Sequence, residues 1–212
     1  LSLGSISIDS TASGQTVVQN GKTAVDQAPV ITQKSAEATQ NTISVHASSG
    51  SKAVLTLDGV NIDTSSASDN GSPVSVSGSG SVKLCFRSEN TLMAGRVPGI
   101  EKSAGGWLEI AGEDDAVLNT TGSPGIGSGF MASGDHVRIS SGTVNAAGLS
   151  SAAGIGSCDG GSSFRYIEIN GGNVTAVGGE YSAGIGGGGG CDGSFITITG
   201  GTVYAEGSAG AG

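Results

Sequence analysis

The chain has 212 residues, 40 of them glycine, with 13% charged residues and a formal net charge of −9. Its nine lysines and arginines are scattered without a basic stripe, which argues against nucleic acid as a partner. No apolar run approaches the roughly 18 residues of a transmembrane helix, so we expect no membrane span. The abundance of Ser, Thr, Gly and Asn over lysine favours an extracellular or cell-surface location.

Residues 1–53 are the least regular part of the chain. Apolar and polar residues alternate over residues 5–9, 16–18, 29–32 and 42–46, which predicts four short strands. The polar segment 33–41 shows no helical periodicity and is predicted to be a loop. We interpret residues 1–53 as irregular N-terminal coils, making up the first two coils of the repetitive structure that follows.

Residues 54–212 repeat one unit, in which a strand is followed by a turn, a second strand and a Gly-Ile-Gly motif. The clearest openings of the unit are Trp107-Leu-Glu-Ile, His136-Val-Arg-Ile, Tyr166-Ile-Glu-Ile and Phe195-Ile-Thr-Ile. The glycine motif begins at Gly99, Gly125, Gly154, Gly184 and, in a faded copy, Gly210, with spacings of 26, 29, 30 and 26 residues. A period of this size with strands inside it is typical of a solenoid.

Three short strands in each unit predict an all-β, right-handed parallel β-helix of about seven coils of 26–30 residues, forming a single domain over residues 1–212. Equivalent residues of neighbouring coils should lie about 4.8 Å apart, so columns of stacked side chains can be read from the sequence. Two inward columns follow: Leu55, Val82, Leu108, Val137, Ile167, Ile196, and Leu57, Leu84, Ile110, Ile139, Ile169, Ile198. A third inward column contains Val144, Val174 and Val203.

The repeat phrases resemble those of a known group of proteins. Ser182-Ala-Gly-Ile-Gly-Gly and Ile196-Thr-Ile-Thr-Gly-Gly-Thr-Val-Tyr-Ala are similar to glycine-rich β-helix repeats of large bacterial secreted or surface proteins, described as carbohydrate-binding or adhesin-like. Those repeats are similar in architecture to the pectate-lyase superfold. The resemblance is most specific over residues 99–212. It implies a fold and a carbohydrate setting, and it does not imply an activity.

A row of outward residues on the first strand of each unit carries alternating charge. The predicted row runs through Thr56, Lys83, Glu109, Arg138, Glu168 and Thr197. It is either a ladder of ion pairs that holds the coils in register, or a catalytic row. The Cα atoms of Glu109 and Glu168 should be about 9–10 Å apart, which is near the separation of the two carboxyl groups in inverting glycosidases. Arg138 between them would keep both carboxylates ionised, which disfavours a general acid.

The neighbouring outward column contains four rings in four successive coils. It runs through Val54 and Ser81 to Trp107, His136, Tyr166 and Phe195, and we call these last four residues the aromatic column. Alternation points all four outward. The column is either a structural stack that covers the strand edge or a surface on which sugar rings pack, with Glu109, Arg138 and Glu168 beside it.

Two glycine-rich loops carry a Cys-Asp-Gly sequence at equivalent positions. Cys158 and Cys191 are candidates for a disulfide, with two free thiols as the alternative. Asp159 and Asp192 could bind calcium, but exposed turn residues are the simpler interpretation because the nonapeptide calcium register is absent. The cysteines and histidines show no metal-ligand spacing, and we predict no cofactor.

The sequence therefore predicts a non-catalytic extracellular module of a bacterial surface or secreted protein, part of a larger chain. Its role would be carbohydrate-binding or adhesive, with a polysaccharide or glycan as partner, or that of a structural spacer. The alternative is a polysaccharide lyase or glycoside hydrolase that uses Lys83, Glu109, Arg138 and Glu168. An ice-binding solenoid, suggested by Thr197-x-Thr199, is disfavoured because neighbouring coils do not repeat the threonines.

Overall fold

The computed structural model describes residues 1–66, 71–103, 105–160 and 163–208, and these residues contain 22 β-strands and no helix. The strands form three sheets along one solenoid. The first sheet contains β1 (Ile6–Thr11), β2 (Gly14–Gln19), β3 (Lys22–Val25), β5 (Ile43–Ala47), β8 (Val74–Ser77), β11 (Ile100–Lys102), β14 (Ile126–Ser128), β17 (Ile155–Ser157) and β20 (Ile185–Gly186).

The second and third sheets are parallel throughout. The second contains β4 (Val30–Thr32), β6 (Lys52–Asp58), β9 (Ser81–Arg87), β12 (Leu108–Gly112), β15 (Asp135–Ser141), β18 (Phe164–Ile169) and β21 (Gly193–Ile198). The third contains β7 (Asn61–Asp63), β10 (Glu89–Met93), β13 (Val117–Gly122), β16 (Thr143–Gly148), β19 (Asn173–Val177) and β22 (Thr202–Glu206).

The chain visits the three sheets in the same order in every turn, which confirms the predicted all-β parallel β-helix. Six turns, from β5 to β22, are complete with one strand in each sheet. A seventh, N-terminal turn is partial: β1 and β4 occupy the first two sheets, and a single bridge from Thr39 to Ile62 replaces the third strand. The right-handed sense remains a prediction from the crossover rule. The faded glycine motif at Gly210 lies outside the described residues.

The N-terminal end of the solenoid is covered by a hairpin. Strands β2 and β3 add to β1 in antiparallel fashion and extend the first sheet beyond the N-terminal turn. The buried side chain of Gln15 donates to the carbonyl oxygen of Val54 and accepts from its amide, both at 2.9 Å. Its side-chain amide therefore satisfies backbone groups at the edge of β6 that would otherwise lack a partner.

The core consists of stacked aliphatic side chains, as predicted. The inward residues of β9, β12, β15 and β18 are almost completely buried, and each contributes roughly 1.5–3 kcal/mol by leaving water. In the last turn the equivalent residues Ile196 and Ile198 are exposed because no described coil follows them. Two phenylalanines that the predicted columns omit, Phe86 and Phe164, are fully buried and widen the core.

The pairing of β6 differs from the predicted register by two residues. Ala53, not Leu55, pairs with Val82, and Leu57 pairs with Phe86. Side chains alternate between the two faces of a strand with a period of two residues. A shift of two therefore leaves the same residues of β6 facing inward. The predicted inward columns did not include Ala53, whose small side chain is also buried.

The Gly-Ile-Gly motifs allow neighbouring coils to approach closely. Gly127 has a φ of 144°, and a Cβ there would lie 1.7 Å from the carbonyl oxygen of Gly156 in the next coil. Gly156 stands in the same relation to Gly186, with a distance of 1.8 Å. Only glycine fits these positions, because any Cβ would overlap the backbone of the next coil.

Candidate functional site

The charged row lies on the outer face of the second sheet, and the structure corrects its first member. Val54, not Thr56, pairs with Lys83, while Thr56 pairs with Cys85 and is buried. From Lys83 onwards the predicted order holds, since successive strands pair Lys83, Glu109, Arg138, Glu168 and Thr197 in register. The row is therefore a continuous column along the solenoid axis.

Each charge of the row has an opposite partner one coil away. Lys83 Nζ lies 3.1 Å from Glu109 Oε1, and Arg138 Nε donates to Glu168 Oε2 at 2.7 Å. Ser140 Oγ donates to Glu109 Oε1 at 3.5 Å. Both glutamate side chains are thus engaged by groups of neighbouring coils, and neither is placed as a free carboxyl group facing a substrate. The geometry favours a ladder that fixes coil register.

The aromatic column forms one continuous stack. The ring centroids of Trp107 and His136 are 4.8 Å apart in an edge-to-face arrangement of 76°. His136 and Tyr166 stack at 4.6 Å and 14°, and Tyr166 and Phe195 stack at 4.8 Å and 8°. Stacked and edge-to-face rings at these separations stabilise a structure by about 0.5–1.5 kcal/mol a pair.

The backbone that presents these rings is not a regular strand. His136, Tyr166 and Phe195 have φ values of 59°, 58° and 56°, the left-handed region that non-glycine residues avoid. The ladder skips them, pairing Asp135 with Arg165 and Val137 with Ile167. Regular strand alternation therefore does not by itself set the direction of His136, Tyr166 and Phe195, because each of these three residues is left-handed.

The stack limits what the aromatic column can bind. A sugar ring packs its C–H face on the face of an aromatic ring. The facing surfaces of His136, Tyr166 and Phe195 are covered by one another, and Arg138 lies over the ring of Trp107. Phe195, which is 60% exposed, has no described ring beyond it. Among the described residues, the ring face left without a stacked neighbour in this part of the column is thus the outer face of Phe195.

The two Cys-Asp-Gly loops lie in neighbouring coils, but the structure does not join Cys158 to Cys191 by a disulfide. Burial, together with the charges of Asp159 and Cys191, raises the pKa of the Cys158 thiol to about 11. Little thiolate is then available at neutral pH for disulfide exchange. Within the described ranges, no three His, Cys, Asp or Glu side chains converge as metal ligands, Asp159 and Asp192 included.

Lys102 is a buried charge that the sequence did not reveal. It follows Ile100 by two residues on β11, pairs with Val76, and its side chain is 2% exposed. Its Nζ donates to the carbonyl oxygen of Ser103. Burial lowers the pKa of Lys102 from its usual 10.5 to about 8, partly opposed by the charge of Asp135. A lysine at an inward position, where the other strands carry apolar residues, was the sequence signal that could have revealed this buried group.

The outer face of the third sheet was also overlooked. In the phrases Gly142-Thr-Val-Asn-Ala, Gly172-Asn-Val-Thr-Ala and Gly201-Thr-Val-Tyr-Ala, the fourth residue points outward. The structure stacks these residues, Asn145, Thr175 and Tyr204, in one column. In each phrase the outward residue lies between the valine and the alanine, so strand alternation was the sequence signal for this column.

Comparison with known proteins agrees with this coil geometry. A family described as Beta helix repeat matches residues 137–161, 167–189 and 196–212. Each match begins at an inward residue of the second sheet, and the first two continue through the third sheet into the next strand of the first. Neither the curated proteins nor the solved structures gave a match. The described residues include no helix long and apolar enough to cross a membrane. The repeat matches and the stacked sheets together make this chain a parallel β-helix repeat domain.

Proposed function

We propose that the chain is a non-catalytic module of a bacterial secreted or surface protein, in which the β-helix acts as a stiff spacer that can also display a binding surface. The main observation behind this proposal is that the charged and aromatic side chains on the outer face of the second sheet contact one another. The charged row is ion-paired and the aromatic column is stacked. Both arrangements hold neighbouring coils in register.

The extracellular setting is part of this proposal and is supported by composition. The chain carries nine lysines and arginines against 40 glycines. Its resemblance to repeats of large bacterial surface proteins points to the same setting. Labelling of intact source cells with an antibody raised against the purified chain would test it. Labelling that requires permeabilised cells would contradict a surface location.

The alternative enzyme would be a polysaccharide lyase or glycoside hydrolase acting on the charged row. It would need a carboxyl group that keeps its proton, or a base free to accept one, at the working pH. Glu168 is instead hydrogen-bonded to a guanidinium at 2.7 Å. We therefore favour the non-catalytic role.

The test is a turnover assay on the purified chain and on Glu168→Gln. Both proteins are incubated with polygalacturonate, xylan and β-glucan, and unsaturated products and new reducing ends are measured. We expect neither protein to produce either signal above a buffer control. Turnover by the parent that disappears in Glu168→Gln, with an unchanged far-UV circular dichroism spectrum, would establish the enzyme instead.

Carbohydrate binding at the aromatic column is the second candidate, and the exposed outer face of Phe195 is the observation that favours it. Trp107 fluorescence, titrated with soluble polysaccharides, reports on this column because the rings are in contact. The same titration on Phe195→Ala serves as the comparison. Binding that is lost in this variant would support the candidate, and a signal unchanged in both proteins would leave the column with its structural role.

A further inference from the structure

The outer face of the third sheet differs in chemistry from that of the second. Strands β13, β16 and β19 pair without a bulge, so their outward residues form straight columns. The central column runs through Thr91, Asn119, Asn145, Thr175 and Tyr204. Outward residues of these three strands are threonine, asparagine, alanine or valine, and none is charged. The middle of the face, formed by these three strands, is thus uncharged in a chain of net charge −9.

Side-chain amides on this face are held in a ladder. Asn145 Nδ2 donates to Asn119 Oδ1 at 2.9 Å, and Asn119 Nδ2 donates to Glu89 Oε1 at 3.0 Å. A primary amide has two N–H donors and an oxygen with two lone pairs, so each amide keeps hydrogen-bonding capacity that the ladder does not use. The ladder fixes the orientation of these groups before any ligand arrives, which reduces the entropy lost on binding.

A shallow groove of about 180 Å³ lies on the same face. Its lining includes Asn119, Asn145 and Thr175 from the central column, and Ala147 and Val177 from the column beside it. Ala147 is the smallest member of its column, between Thr121 and Val177, which accounts for the depression. The groove therefore combines hydroxyl and amide groups with small apolar surfaces.

Tyr204 continues the central column beyond Thr175 and supplies an aromatic ring. It is 56% exposed, and among the described residues no other ring stacks on it. Its hydroxyl donates to Glu206 Oε2 at 2.5 Å, and this hydrogen bond raises the pKa of Tyr204. The ring is thus oriented by its hydroxyl and, in contrast to the rings of the aromatic column, is stacked on no other described ring.

We propose that the outer face of the third sheet binds an extended, neutral polysaccharide that lies along the solenoid axis. One sugar ring packs on Tyr204, and hydroxyls of the preceding units meet Thr175 and the amide of Asn145. The distance from Asn119 to Tyr204 is three coil steps, roughly 14 Å, which accommodates about two to three sugar units. This inference rests on the non-catalytic display role proposed above and adds a ligand and a location to it.

The charges argue for a neutral ligand. Glu89 and Glu206 flank the face at its two ends, and no described lysine or arginine lies in its columns. A polyanion such as polygalacturonate would be repelled by these carboxylates and by the net charge of the chain. A peptide in extended form would need an open strand edge, whereas β13, β16 and β19 are paired on both sides.

Isothermal titration of the purified chain with cellohexaose, xylohexaose and mannohexaose tests the proposal, with hexagalacturonate as the anionic comparison. We expect at least one neutral hexamer to bind with a dissociation constant of roughly 10 μM to 1 mM, because the contacts are few and exposed. Tyr204→Ala should weaken binding at least about tenfold. Tyr181→Ala is the matched control, since that tyrosine is 63% exposed, lies in no strand and does not line the groove, so its loss should change nothing.

Thr175→Lys gives a second, independent variant, because it fills the groove with a long side chain and removes no buried residue. It should also weaken binding. The inference is overturned if no neutral hexamer binds up to about 10 mM, or if both variants bind as well as the parent. It is also overturned if hexagalacturonate binds better than every neutral hexamer, or if the chain binds no glycan but shows thermal hysteresis in ice. Absence of binding together with absence of turnover would leave the non-catalytic role intact and remove only this site.

Discussion

Arg138 lies over the indole ring of Trp107, with its Cζ 4.3 Å from the ring centroid. The same guanidinium donates from Nε to Glu168 at 2.7 Å. Trp107, Arg138 and Glu168 belong to three successive coils, so a single side chain connects the coil before it to the coil after it. Arg138 also joins the charged row to the aromatic column. The two features, which the sequence analysis treated as separate, therefore form one network.

Arg138→Gln should destabilise the chain by about 0.5–2 kcal/mol. It removes an ion pair, which contributes about 0–1 kcal/mol when partly exposed, and a cation–π contact of about 0.5–1 kcal/mol. The measurement is the free energy of unfolding from urea denaturation. Arg87→Gln is the control, because the Arg87–Glu113 pair is more exposed and Arg87 contacts no described ring. A larger loss at Arg87 than at Arg138 would contradict the role assigned to the network.

Tyr166 allows the stack to be separated from the backbone strain beneath it. Tyr166→Ala removes two ring contacts and should cost about 1–3 kcal/mol. Tyr166→Gly removes the same contacts, but it relieves a left-handed residue whose strain is roughly 1–2 kcal/mol for a side chain with a Cβ. We expect the glycine variant to be the more stable of the two in urea, although greater unfolded-state entropy reduces the difference. The opposite order would show that the strain of the left-handed conformation is smaller than the entropy cost of the glycine.

Gly127→Ala should prevent the coils from stacking around residue 127. The added Cβ would lie 1.7 Å from the carbonyl oxygen of Gly156, a backbone atom that cannot move without displacing the next coil. Gly59→Ala is the matched control, since Gly59 also has a positive φ but nothing lies within 4 Å of its Cβ position. We expect Gly59→Ala to cost only about 1–2 kcal/mol, and Gly127→Ala to lose the cooperative thermal transition. Equal stability of the two variants would refute the steric argument.

Lys102 should make the chain more stable as the pH rises from about 8 to 10.5. Its pKa is lowered on folding, so in this window the unfolded chain holds a proton that the folded chain has released, and raising the pH opposes unfolding. Lys102→Met should remove this contribution and be more stable than the parent at pH 7. The readout is the difference between the two urea midpoints as a function of pH, which cancels the other titrating groups. A constant difference across the window would contradict the lowered pKa.

The stacking of the core could be predicted from the sequence because a parallel β-helix repeats one geometry. Once the strands of successive units are aligned on Gly-Ile-Gly, the inward position of Ile139 predicts that of Ile169. The charged row from Lys83 to Thr197 followed from the same alignment. Strand β6 has no glycine motif that fixes its position, and its predicted register differs from the observed one by two residues.

The candidate surfaces were less predictable, since they depend on properties that spacing does not encode. Alternation gives the face on which Tyr166 lies, but not that its φ is 58° or that its faces are covered by His136 and Phe195. The lowered pKa of Lys102 depends on burial in a core that only the folded chain forms. The availability of Tyr204 likewise depends on which neighbours do not stack on it.

The contact between Gly127 and Gly156 has a consequence for how such a chain can diversify. A position that tolerates no Cβ cannot acquire a new functional group by point substitution, so the glycine positions of the first sheet are fixed by the spacing of the coils. Substitutions that create recognition must then accumulate where a side chain has room, on the outer faces of the second and third sheets. In this chain the side chains on the outer face of the second sheet already connect neighbouring coils. The outer face of the third sheet is therefore the one most open to selection for a new ligand.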